Sequence, residues 1–226
     1  MDEQRQAETF NGSGVWDTAR KTRALRAVLA KLKEMMGIRA RCMYCHDSHG
    51  TDIEHFWPKA LYPERMFRWL NFLLCCAECG RFKGDRFPLD NGEPLLVDPT
   101  TEDPWEYLDF DPTTGNLVAR FELDRNDWSA KGQATVHLLQ LDRREALAAG
   151  YQHTFRRLSA LVEECLATGA PAASDLPQRL RERDDHGLLG WCLNGAGRNL
   201  PPFTALRHQR PALWQACVDA LAEPTN

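Results

Sequence analysis

"CMYCHDSHGTDIEHFWPK", residues 42 to 59, opens with two cysteines in a C-x2-C spacing and then sets Glu54 and His55 ahead of an aromatic pair and a proline. The same spacing returns at Cys76–Cys79, in "CAEC", with thirty residues between Cys45 and Cys76. Two such knuckles are the sequence form of a tetrahedral zinc site, because each tight turn presents two thiolates to one ion. Cys75 would make a C-x3-C with Cys79. The shorter spacing matches the first knuckle, so Cys76 is the expected ligand and Cys75 a buried thiol. His46 and His49 could substitute, but Cys42, Cys45, Cys76 and Cys79 already complete the set. A closed four-thiolate site has no open position, so it staples a fold and does no chemistry.

Working outward, the chain has 226 residues, 43% hydrophobic and 27% charged, a globular composition. It has no apolar run of membrane-spanning length, and its polar start (MDEQRQAETF) lacks a signal-peptide core, so a cytoplasmic protein is expected. In that reducing setting the eight cysteines favour metal ligation over a disulfide framework. The net charge of −4 hides an asymmetry. Residues 20 to 41 hold eight Lys/Arg against one Glu, and residues 89 to 111 hold eight Asp/Glu with no Lys or Arg. Such segments are either solvated faces or, for the basic one, a phosphate-contacting surface.

The expected fold class is α+β and mostly helical. A tail over 1 to 14 precedes one basic amphipathic helix from Trp16 to Met36, stopped by Gly37. The Cys/His block predicts a compact hairpin whose second knuckle opens a helix. "YLDFDPTTGNLVARF" (107 to 121) carries a hairpin signal. Helical stretches follow at 143 to 167, 176 to 194 and 202 to 221. Cys165, Cys192 and Cys217 have no ligand spacing and read as core. The domain reading is a tail and basic helix over 1–40, a zinc-stapled core with an acidic loop over 41–112, and a β-hairpin plus helical region over 113–226.

The order C-x2-C, Glu54-His55-x-x-Pro58, Asn71-Phe-Leu-Leu, C-x2-C and Lys83-Gly84 resembles the HNH endonucleases, whose small core is termed ββα-metal. "IEHFWPKALYP", "WLNFLLCCAECGRFKGDRFP" and "LLVDPTTEDP" look more narrowly like the HNH subunit of Septu-type and retron-linked anti-phage systems, as do "LDFDPTTGNLVARF" and "ATVHLLQLDRREALAAGYQ". That resemblance implies DNA as substrate and an ABC/SMC-type ATPase subunit as partner. It implies His55 as general base and Glu54 as carboxylate ligand for a catalytic Mg2+ or Mn2+. Asn71 would pin the loop that aims the histidine, and Lys83 would stand near phosphate. Lys59, Arg81 and Arg86 flank the same segment and could neutralise further phosphates.

These residue types suit phosphodiester hydrolysis. An imidazole with an ordinary pKa of about 6.5 can take a proton from water at physiological pH. A Mg2+ held by one or two carboxylates stabilises charge on the phosphate and leaving group. Adjacent Glu and His point to opposite faces of a strand, so a bend near Phe56-Trp57-Pro58 is expected to let them converge. One departure stands out. The family's second metal ligand follows the last cysteine, and here that position is Gly80. Asp98 is the first expected substitute and Asp85 the second. A different class of reading survives beside the nuclease: a zinc-stabilised module weakened in catalysis that binds DNA or a partner.

Overall fold

The structure is a computed structural model in which residues 12–168 and 175–222 are described. The chain is α+β and about half helical, with small two-stranded antiparallel sheets. It divides into two compact units, one of Met1–Tyr44 with Ser48–Pro88, the other of Cys45–Asp47 with Leu89–Asn226.

In the first unit, helices α1 (Gly12–Ala19) and α2 (Arg23–Met35) replace the single helix expected from the periodicity. The break has a local cause. Thr22 is extended (ψ 159°) and its hydroxyl accepts from the Leu25 N–H at 3.4 Å, so it caps α2 rather than continuing α1. Residues 12–14 of the expected tail are already helical; residues 1–11 lie outside the described residues. Leu32 turns inward from α2 while Arg23, Arg26 and Lys31 stay exposed.

Strand β1 (Asp52–His55) pairs antiparallel with β2 (Phe72–Cys75), with Asp52 opposite Cys75 and His55 opposite Phe72. Helix α3 (Ala77–Lys83) follows at once and ends at Gly84, whose φ of +51° suits a residue without Cβ. Every residue of β2 is buried, so this strand forms the floor of the unit. Gly50 comes so close to that floor that a Cβ there would lie 2.3 Å from the Leu74 side chain. No larger residue fits without displacing the Leu74 side chain.

The second unit carries the hairpins β3 (Leu89–Asp90) with β4 (Glu93–Pro94), β5 (Leu108–Phe110) with β6 (Leu117–Ala119), and β7 (Phe121–Glu122) with β8 (Asp127–Trp128). The Thr-Gly-Asn signal falls on the β5–β6 turn. Asp111 closes it by accepting from Thr113 N–H (2.9 Å) and the Thr114 hydroxyl (2.7 Å). Helices α4 (Ala130–Leu139), α5 (Glu145–Thr168), α6 (Leu176–Arg183), α7 (Leu188–Leu193), α8 (Phe203–Gln209) and α9 (Pro211–Ala222) complete the chain. The stretch expected as one helix over 176–194 is two, because the Asp184 carboxylate accepts from the N–H groups of Leu188 and Leu189 and starts α7 afresh. The 202–221 stretch is likewise split before Pro211, which cannot donate to a continuing ladder.

Leu158, Val162, Cys165, Leu176, Leu188, Cys192, Phe203 and Leu206 are fully buried and form this unit's core. Burial, with a smaller push from Cys165, raises the Cys217 thiol to about 12, which fits an inert core residue. A polar chain crosses the unit: His186 reaches the Asp47 carboxylate through Nε2 at 3.0 Å and the Thr154 hydroxyl through Nδ1 at 2.7 Å. Thr154 has no exposed surface, so the chain ties elements together rather than serving a substrate.

Candidate metal centre and hydrolytic site

The Cys42, Cys45, Cys76 and Cys79 sulfurs all lie within 4.8 Å of one another, and all four residues are buried. A tetrahedral zinc with bonds of about 2.3 Å needs sulfurs roughly 3.8 Å apart, so the cluster fits such an ion after small adjustments. Local structure prepares it. The turn 42–45 is closed by Cys42 N–H donating to Ser48 O at 2.9 Å. Cys76 caps α3, and its sulfur accepts from Cys79 N–H at 3.4 Å, which favours thiolate at a helix start. The Cys75 thiol instead donates to the Cys76 carbonyl at 3.3 Å and stands outside the group. The four cysteines could hold a metal ion such as zinc, and its charge would offset the thiolates that their burial otherwise disfavours.

His55 closes β1 on its buried side and is 2% exposed. Its Nε2 lies 2.9 Å from the Met66 carbonyl, a bond that requires the proton on Nε2 and leaves the lone pair on Nδ1. Nδ1 has no hydrogen-bond partner among the described residues. The Trp16 indole of α1 covers the ring edge-on with centroids 4.3 Å apart, and Phe72 flanks it at 5.5 Å. Burial is the main cause that lowers the His55 pKa to about 4; the Met66 carbonyl opposes it, and the charges of Lys59 and Lys83 add to it. The imidazole is therefore neutral at physiological pH.

Glu54 leaves the opposite face of β1, as strand alternation requires. The expected bend does not bring the two side chains to one face. His55 packs on Trp16 and Phe72, and Glu54 meets α3. There Lys83 differs from its expected place beside phosphate. It has no exposed surface, and its ammonium donates to Glu54 Oε1 (3.1 Å), the His55 carbonyl (2.7 Å) and the Gly84 carbonyl (3.4 Å). A cation so enclosed clamps the end of β1 to α3. At Gly80 a Cβ would lie 3.7 Å from Glu54 Oε2 and 3.8 Å from the Cys75 sulfur. Gly80, where the resemblance leads one to expect a ligand, therefore faces the second oxygen of Glu54.

Asn71 is 3% exposed and spans the loop between the strands. It accepts from Trp57 N–H (2.7 Å) and donates to the carbonyls of Trp57 (3.1 Å) and Arg65 (3.0 Å). Those bonds fix the loop whose Met66 carbonyl holds His55. Lys59 is half-buried, and Arg81 and Arg86 are exposed. Asp85 is exposed as well. Asp98 belongs to the other unit, where its Oδ1 accepts from Thr100 N–H (2.9 Å) and the Thr100 hydroxyl (2.6 Å) and so is committed to its own turn. Sequence reasoning missed Trp16 and Met66, since neither residue type announces a contact with a histidine far along the chain.

Fold and site together define an α+β protein with a buried four-cysteine centre beside a hairpin that carries a neutral, anchored histidine. No protein-family model matches the sequence. The chain is similar to two curated proteins. One is Septu protein PtuB of Bacillus thuringiensis, 27% identical over 136 residues, covering 59% of this chain and 46% of that protein. The other is Septu protein PtuB of Bacillus mycoides (strain KBAB4), 29% identical over 145 residues, covering 50% of this chain and 46% of that protein. The chain spans about half the length of the curated relatives it matches. These similarities relate it to the Septu PtuB proteins. No helix among the described residues is long and apolar enough to cross a membrane.

Proposed function

We propose that the chain is a metal-dependent HNH-type endonuclease that hydrolyses phosphodiester bonds of DNA, the effector of an anti-phage system working with an ABC/SMC-type ATPase subunit. The observation that carries this reading is the state of His55: Nε2–H is fixed on the Met66 carbonyl and Nδ1 keeps its lone pair, the tautomer a general base needs. The β1–β2–α3 order and the four-cysteine cluster support a ββα-metal core. The similarity to the Septu proteins supports the defence role.

In this reading the four cysteines hold zinc as a staple, and Asn71 and Met66 set the imidazole. Glu54 Oε2 offers a hard oxygen to a divalent cation, which when bound would supply charge stabilisation at the phosphate. His55 Nδ1 takes the proton from the attacking water.

A second reading has its own support. Gly80 supplies no ligand, Lys83 already neutralises one oxygen of Glu54, and Trp16 covers His55. All three suit a zinc-stabilised module that binds DNA or a partner with weakened catalysis. Incubating plasmid with the protein and Mg2+ or Mn2+, with and without the ATPase subunit and alongside His55→Ala, separates the two. The nuclease reading expects cleavage by the wild type and none by the variant. Plasmid left equally intact by both in every condition rejects it.

A further inference from the structure

The loop between β1 and β2 exposes a run of apolar side chains, of which Phe67 also lies beside Trp16 with ring centroids 6.1 Å apart. Leu61 is 59% exposed, Phe67 52%, Trp69 44% and Leu70 64%. Burying four such groups is what the unit would gain by folding them inward, yet the loop is built so that they stay out. Successive backbone bonds from Arg65 N to Tyr62 O (3.0 Å), Arg68 N to Arg65 O (3.1 Å) and Asn71 N to Arg68 O (3.0 Å) wind it into tight turns. Asn71 pins Arg65 from below, and the Arg65 guanidinium lies 4.1 Å over the Trp57 ring. Met66 is buried and holds His55, and the next residue in the chain, Phe67, is already exposed.

Cations are interleaved with these rings. Arg68 sits between Phe67 and Trp69 and is exposed, and its guanidinium makes no ion pair or hydrogen bond among the described residues. Lys59 is close enough to His55 for its charge to act on that ring. The one acid of the loop, Glu64, faces Arg65 at 3.7 Å. The surface is therefore apolar planes with uncompensated positive charge, the complement of a polyanion with exposed π-faces.

We propose that this loop, Leu61 to Leu70, is a platform for an unpaired strand of DNA, with Phe67 and Trp69 stacking on bases and Arg68 and Lys59 meeting phosphates. Duplex DNA keeps its base faces stacked inside and offers the rings nothing, whereas a single strand offers both partners. The inference rests on the nuclease reading for its choice of DNA, and it names the strand structure that site would receive.

The test uses the full chain, fluorescein-labelled oligo-dT of about 20 nucleotides, a duplex of the same length and oligo-rU, with Ca2+ in place of Mg2+. Fluorescence anisotropy gives affinity without cleavage. The expected result is tighter binding of oligo-dT than of the duplex or oligo-rU, with a loss of about tenfold for oligo-dT in each of Phe67→Ala and Trp69→Ala. Arg68→Ala should flatten the salt dependence by roughly one phosphate contact. The replaced side chains are exposed, and unchanged zinc content and circular dichroism confirm folded variants. Equal affinity for single strand and duplex, or oligo-dT binding untouched by both ring removals, overturns the proposal. Tighter binding of oligo-rU overturns it in favour of RNA. Loss of ATPase-subunit binding in Trp69→Ala with oligo-dT affinity intact overturns it in favour of a protein partner. Ring-dependent oligo-dT binding in a protein that never cleaves plasmid would sustain the platform and reject the nuclease reading alone.

Discussion

The Trp16 indole and the His55 imidazole meet edge to face, with ring centroids 4.3 Å apart and planes crossed at 77°. One residue comes from a short N-terminal helix and the other from the end of β1. The imidazole is buried, and burial holds it neutral.

Removing that cover should be visible without any activity assay. Trp16→Ala should cost about 3 kcal/mol of stability, the low end for a large buried aromatic. It should also raise the His55 pKa from about 4 toward its ordinary value, because burial is the main cause of the depression. An NMR titration of the imidazole Cε1–H resonance reads the shift, and an unmoved pKa would show that Trp16 is not what keeps the ring dry.

Zinc content tests the cysteine cluster. Cys42→Ser should lose metal and unfold the first unit, since ligation and folding are linked. Cys75→Ser should keep a full complement, because that thiol bonds to the Cys76 carbonyl rather than joining the cluster. Atomic absorption on both variants distinguishes them.

Lys83→Met removes a fully buried ammonium and leaves Glu54 and the His55 carbonyl without their shared donor. Glu54 still reaches water, so the loss should fall near the low end for a broken buried pair, about 3 kcal/mol in urea denaturation. A loss under half of that would mean Lys83 is not a clamp.

Gly80→Asn tests the missing ligand. A side chain here starts 3.7 Å from Glu54 Oε2 and meets no backbone, and Asn costs a helix less than Gly does. Tighter Mn2+ binding is expected, read by electron paramagnetic resonance. Weaker binding would place the cation elsewhere.

The acid limb of stability should depend on Glu102. Burial would raise its pKa, but the Asp98 N–H, then Lys131 and Tyr107, together hold it below the ordinary 4.5. A depressed carboxylate contributes stability above the ordinary pKa and loses it as pH falls through the folded value. Thermal melts of Glu102→Gln should therefore converge on wild type below pH 4.5 and fall beneath it above.

From sequence alone came whatever depends on spacing along the chain. Two C-x2-C knuckles named the four cysteines that come together, and the Thr-Gly-Asn turn named the β5–β6 hairpin. Helix α4 was not anticipated, because two positions of its buried face are Gly132 and Thr135, which give no apolar signal. The helix breaks at Thr22 and Asp184 depend on side chains capping backbone groups, which periodicity does not register. What only tertiary structure decided is the environment of the site. Lys83 reads as a surface cation until α3 packs on β1, and His55 reads as an ordinary imidazole until Trp16, more than thirty residues earlier, closes over it. Charge state and access are set by neighbours in space, through desolvation, and the order of residues does not carry them.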